Sequence, residues 1–321
     1  MTFSLDVVRL GSRAGAEIDR ICAWLVESVR GTMKRRGLVL GLSGGIDSSV
    51  VAALAVRALG KDAVLGLFMN EGESSDDTVQ LGRLIASSLG VATVDENISP
   101  MLEAAGCYAR RDAAIREVIP RYAADWKCKL VLPSVLASDR YRIYSIVARS
   151  PTGEDTTARL TPAAYLTIVA ATNFKQRTRK MLEYFHADRL VYAVAGTPNL
   201  LEYDQGFFVK NGDGAADIKP IAHLYKTQVY ELAAALGVPE TIRARPPTTD
   251  TYSLPQSQEE FYFSLPYDRM DACLYARHHG VSAADCAAAL GLQTDQIERV
   301  YRDIDAKRAV AKYLHAPPML L

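Results

Sequence analysis

Seven residues near the start of the chain, Ser43-Gly44-Gly45-Ile46-Asp47-Ser48-Ser49, bring together groups that can hold phosphate. They follow a short apolar run, residues 37–42, and lead into an alanine- and valine-rich stretch, residues 48–59. A glycine pair at a strand-to-helix turn lets backbone N–H groups approach an oxyanion with no side chain in the way. The helix that begins there aims unpaired N–H groups and the positive end of its dipole at the same anion. The hydroxyls of Ser43, Ser48 and Ser49 add donors. Asp47 is the odd member, because a carboxylate beside phosphates repels them unless a cation lies between. Mg2+ suits that place, since it takes few protein carboxylates and shares phosphate oxygens. No lysine follows the second glycine, which separates the pattern from GxxxxGK[ST], and it is not GxGxxG either. A bare glycine pair is as readily an ordinary turn; the strand, serines and aspartate around this one argue for a phosphate loop.

The elements that must position this loop read as an α/β protein. Strands over 37–42, 63–69 and 91–94 alternate with helices over 48–59 and 74–89. That order predicts a parallel sheet flanked by helices, with right-handed crossovers. Ile18, Ile21, Cys22, Leu25 and Val29 recur at helical spacing and predict an amphipathic helix over 16–31. Residues 190–195 read as a further apolar strand, with a helix over about 173–185 before it. Residues 226–236 read as a helix stopped by Gly237, with Pro239 just beyond. Residues 245–258 are rich in Pro, Thr and Ser without a period and predict an ordered loop. Residues 282–290 and 294–315 predict closing helices. The pattern is weaker between 97 and 173, where 104–124 reads as a helix and 129–135, 142–149 and 156–161 as strands. Without a repeat, low-complexity tract or linker, a single domain is expected over 1–321, with a helical extension over 272–321.

Lys plus Arg and Asp plus Glu are equal at 37 each, so the net charge is zero. A long polyanion such as nucleic acid is therefore not the expected partner. No apolar run reaches the 18 or more residues of a membrane span. Residues 1–13 lack the basic head and apolar run of a secretory signal. The five cysteines include no CxxC pair. They read as buried small side chains in a reducing compartment, and the expected location is the cytoplasm.

The phosphate loop resembles that of the N-type ATP pyrophosphatases, enzymes that adenylate a carbonyl or carboxyl oxygen and release pyrophosphate. The second half narrows the resemblance. Gly196-Thr197-Pro198-Asn199-Leu200-Leu201-Glu202, the stretch from Gly206 to Pro220, Lys226, and Thr248 are similar to the motifs of ammonia-dependent NAD synthetases. So is Asn173-Phe174-Lys175-Gln176-Arg177-Thr178-Arg179, which fits N-x-K-x-R-x-R. The likeness covers about 37–94 and 173–271. It implies a Rossmann-like N-type ATP pyrophosphatase fold. It also implies that Gly41, Leu42, Ser43, Gly44, Gly45, Ile46, Asp47, Ser48, Thr197, Lys226 and Thr248 hold ATP, that Asp47 and Glu202 bind Mg2+, and that Asp47, Lys226 and Thr248 serve catalysis. Arg177, Lys210, Asp217 and Lys307 would hold the acid substrate. Taken alone, Glu202 and Lys226 would be ordinary solvated charges and Asp213 and Asp217 turn residues.

The reaction implied has two steps: a carboxylate, that of the nicotinate ring in deamido-NAD, attacks the α-phosphorus of ATP, and ammonia then displaces AMP. About 40 residues precede the loop, too few for a glutaminase domain. Free ammonia, or a separate glutaminase, would supply the nitrogen. The resemblance further implies a homodimer. The sequence departs from the pattern at Asn70, at Gln258-Glu259-Glu260, at Ser264 and at Ala306 of Asp305-Ala306-Lys307-Arg308. The region near 128–170 is longer than the usual connector and reads as an insertion. By the resemblance, these changes cluster where the family recognises its acid substrate. A same-fold amide ligase for another carboxylic acid therefore stays open, as do, further off, a tRNA-modifying enzyme and a nucleotide sensor.

Overall fold

The computed structural model describes residues 3–132, 144–247, 251–257, 262–263 and 265–320. The chain enters through α1 (Ala14–Val26), which runs on into a π-helical turn over Glu27–Thr32. Next come β1 (Leu38–Gly41), α2 (Ile46–Leu59), β2 (Val64–Phe68), α3 (Asp76–Leu89) and β3 (Ala92–Asp95). A middle portion holds α4 (Ser99–Ala104), α5 (Cys107–Arg116), β4 (Lys127–Val131), β5 (Ser145–Arg149), β6 (Asp155–Arg159) and α6 (Pro162–Leu190). The chain then returns through β7 (Ala193–Val194), α7 (Leu200–Gln205), α8 (Lys226–Ala235) and α9 (Glu240–Arg243), and finishes with α10 (Tyr267–His278), α11 (Ala283–Leu290) and α12 (Thr294–His315).

The main sheet has the order β3-β2-β1-β7 and is parallel throughout. Leu38 of β1 stands beside Val64 on one side and Ala193 on the other. Alternation along the strands buries both faces, as a parallel sheet requires. Leu38, Leu40 and Val64 pack with Leu25 of α1, Val50 and Leu54 of α2, and Val229 and Leu232 of α8. Val39, Leu65, Leu67 and Val194 face the other way, onto Leu102 of α4 and Leu182 and Ala187 of α6. The parallel α/β architecture expected from the sequence is thus present, with β1 at its centre.

The antiparallel strands β4-β5-β6 form a second sheet. It packs against Ile115 of α5, Ala164 and Ile168 of α6, and Tyr252. The helix expected over 173–185 runs much further, over 29 residues. Its start is set by Thr161, whose hydroxyl accepts the Ala164 N–H at 3.1 Å, and by Pro162 in the first turn. One end of α6 therefore serves the second sheet and the other the main sheet. The single helix expected over 104–124 is instead broken at Gly106, whose φ of 70° lies in the left-handed region. The strand expected over 190–195 shrinks to two residues and a bridge between Ala195 and Ile218. The C-terminal helices begin earlier than expected, at Tyr267, and pack on Val8 and Leu201. Among the described residues no helix is long and apolar enough to cross a membrane. Cys107, Cys128, Cys273 and Cys286 are buried, and Cys22 is half-buried.

Candidate active site

The loop expected to hold phosphate lies between the end of β1 and the start of α2, where open α/β sheets receive their ligands. Gly44 has φ of 69°, and a Cβ there would come within 2.7 Å of Leu81 Cβ and 2.8 Å of the Gly82 nitrogen and the Thr78 carbonyl oxygen. Both the backbone conformation and the packing of α3 therefore require glycine. Gly45 caps α2 without a side-chain hydrogen bond, which leaves the first N–H groups of the helix for a ligand. Ser43 Oγ accepts from the Gly45 N–H at 3.3 Å and lies 3.1 Å from Ser48 Oγ. Gly41 closes β1, and the N–H of the next residue, Leu42, donates to the Leu67 carbonyl at 2.9 Å.

Three helices deliver the charged groups. Asp47, in the first turn of α2, forms an ion pair with Lys226, the first residue of α8. The lysine is fully buried, so its charge depends on that partner. Burial opposes the ammonium, yet the carboxylates of Asp47 and Glu202 hold the Lys226 pKa above its ordinary value. Glu202 lies in α7, fixed by a reciprocal cap: the Asn199 side chain accepts the Glu202 N–H, and Glu202 accepts the Asn199 N–H, both at 3.2 Å. Burial, followed by the facing Asp47 carboxylate, pushes Glu202 up to about 8. Two carboxylates held close together at the N-terminus of α2 could share a hard divalent cation. Thr197, half-buried, follows the Ala195–Ile218 bridge two residues before Asn199.

Sequence reading missed Asn199, which also donates from Nδ2 to Asp47 Oδ1 at 3.1 Å. The Asn-x-x-Glu spacing was a signal that could have found it. It also missed Asp271 of α10, whose Oδ2 accepts the Thr227 N–H at 2.7 Å and the Thr227 hydroxyl at 2.8 Å and so holds the start of α8. Thr248, Glu259 and Ser264 lie outside the described residues.

The residues expected to hold the acid are placed differently. Arg177 of α6 and Lys210 do meet, with Arg177 Nε donating to the Lys210 carbonyl at 3.3 Å. The Lys210 ammonium donates to the carbonyls of Tyr313 at 2.8 Å and Ala316 at 3.2 Å, at the end of α12. Asp217 accepts the Val194 N–H at 2.8 Å and the Tyr184 hydroxyl at 3.2 Å. Lys307 donates to the Tyr262 carbonyl at 2.6 Å and pairs with Asp303 at 2.7 Å. Ala306 is exposed on α12.

A parallel sheet flanked by helices, with a glycine turn at the end of β1 and a buried lysine and two carboxylates gathered beside it, has the architecture expected of the N-type ATP pyrophosphatase fold. Solved structures agree on the fold: the NMN synthetase of Francisella tularensis superposes with a TM-score of 0.65 at 22% identity, covering 96% of this chain and 98% of that one. The NH3-dependent NAD synthetase of Campylobacter jejuni gives 0.62 at 21% identity, covering 96% and 99%. The family model for NAD synthase matches residues 17–119 and 136–311. The NH(3)-dependent NAD(+) synthetase of Mesorhizobium japonicum is 61% identical over 96% of both chains, and that of Rhizobium meliloti 58% identical over all of this chain and 95% of its own. The chain belongs to the NAD synthase family.

Proposed function

We propose that this protein is an ammonia-dependent NAD synthetase, a ligase that converts deamido-NAD, ammonia and ATP to NAD, AMP and pyrophosphate. The observation that carries the reading is the buried Lys226–Asp47 pair at the N-terminus of α2, faced by Glu202. The N–H groups at the start of α2 and the hydroxyls of Ser43 and Ser48 hold the β- and γ-phosphates. Lys226 stays protonated in its carboxylate setting and neutralises charge on the departing pyrophosphate. Thr197 and Thr248 complete the nucleotide contacts. Mg2+ held by Asp47 and Glu202 would screen the nucleotide's charge and polarise its phosphoryl oxygens. Arg177 and Lys210 bind the phosphates of deamido-NAD, with Asp217 and Lys307 contributing to the same substrate. The chain uses its residues for orientation and charge stabilisation and needs no covalent nucleophile.

The protein acts in the cytoplasm and as a homodimer. Support for the second copy comes from α6, which leaves Met181 57% and Phe185 58% exposed one helical turn apart. The test is to incubate the protein with ATP, Mg2+ and an ammonium salt, offering deamido-NAD or, in parallel, nicotinate mononucleotide and other carboxylic acids. AMP and NAD should form in equal amounts with deamido-NAD. AMP formation with another acid and none with deamido-NAD would sink the assignment.

A further inference from the structure

A second buried ion cluster lies apart from Asp47 and Lys226. Lys175, on α6 and 2% exposed, donates to Glu71 Oε1 at 2.8 Å, to Glu73 Oε2 at 2.6 Å and to the Thr251 carbonyl at 3.1 Å. Glu71 also accepts the Tyr108 hydroxyl at 2.6 Å, and Arg111 grips both oxygens of Glu73 at 2.6 and 2.8 Å while holding Asp112 at 2.9 Å. Glu71 and Glu73 belong to the loop between β2 and α3, beside the phosphate loop. Thr251 opens residues 251–257, the segment that follows Thr248 in the chain.

The same segment is tied on its other side to the antiparallel sheet. The Leu254 N–H donates to the Cys128 carbonyl at 3.0 Å, and the Cys128 N–H donates to Ser253 Oγ at 2.9 Å. The Gln256 amide donates to the Leu130 carbonyl, and Tyr252 is buried among the side chains of that sheet. So Lys175 is a junction between two loops that leave different parts of the fold. Burying this many charges is costly, and apolar side chains of similar volume would often be as stable. What the charges add is direction: an ammonium with three fixed acceptors sets two backbones in one relative position.

We propose that Lys175 is a positioning residue, which holds the loop after β2 and the segment after Thr248 in the register that ATP adenylation needs. The proposal rests on the reading of Thr248 as a nucleotide contact. Lys175→Met removes the junction, and the double variant Lys175→Met/Glu71→Gln removes it without leaving a buried charge uncompensated. Both should lower kcat/KM for ATP by about 10²-fold and leave KM for deamido-NAD unchanged. Lys175→Arg should recover most of the loss. Hydrogen exchange should quicken across residues 251–257 and 71–74 and stay the same in α2 and α8. In a Thr248→Ala background, Lys175→Met should cost far less than it does alone, since the group it positions is already gone. Equal losses on the two backgrounds, or a double variant with unchanged kinetics and exchange, would overturn the proposal. A silent Thr248→Ala would instead remove the reading of Thr248. In that case exchange over 251–257 decides: acceleration in the Lys175 variants sustains the anchor, and none overturns it.

Discussion

Asp47, Glu202 and Lys226 arrive on three helices and meet in a buried cluster, each already partnered by the others or by Asn199. Arg177, Lys210, Asp217 and Lys307 sit on α6, α12 and the loop between α7 and α8, and three of them donate to this chain's own carbonyls. The proposed nucleotide end is preorganised, its charges partnered within the chain, as stabilisation of a departing pyrophosphate would require. The residues proposed for the acid have their cations bonded to backbone carbonyls, which a dinucleotide phosphate would have to displace or share.

If the nucleotide end is the preorganised one, its variants should act on turnover and those of the acid end on substrate affinity. Asp47→Asn carries the largest expected effect, a loss of about 10³-fold in pyrophosphate release. Activity equal to the parent would remove both the metal assignment and the contrast between the ends.

The next effect is on stability and tests how firmly α8 is held. Burial, partly offset by the Thr227 bonds, pushes Asp271 up to about 6 from an ordinary value of 3.8. The folded state then binds the proton more tightly than the unfolded chain. Its contribution is full below about pH 4 and is lost as pH rises through about 6, a swing on the order of 3 kcal/mol. Urea unfolding of the parent and of Asp271→Asn at pH 4 and pH 6.5 should show a shallower pH dependence in the variant. Parallel curves would mean that Asp271 titrates normally.

Arg177→Ala should raise KM for deamido-NAD about tenfold, roughly 1.4 kcal/mol, with KM for ATP unchanged. A matching rise for ATP would erase the division between the two ends. Lys210→Ala should act in the same direction by about threefold, near 0.7 kcal/mol, because Lys210 also ties down the end of α12. Faster hydrogen exchange at residues 313–316 would separate that structural share from substrate binding.

The contrast also marks what could be read from the chain. The loop from Ser43 to Ser49 was legible because a strand, a glycine turn and a helix N-terminus are local features, set within a few residues. The Asn199–Glu202 cap is equally local, and its spacing was visible although its bond to Asp47 was not. The length of α6 was obscured because its face changes from one sheet to the other, so no single apolar stripe runs along it.

By itself the sequence determined the parallel α/β scaffold, the glycine turn between β1 and α2 and the kinship of the chain, since strand alternation, helix caps and glycine turns are short-range rules. The tertiary structure alone decided that Lys226 would lose its solvent and pair with Asp47, 179 residues away. It decided likewise that Lys175 would join Glu71, Glu73 and Thr251. Such pairings depend on which helix ends the packed sheet brings together, and burial then turns an ordinary surface charge into one that must have a partner.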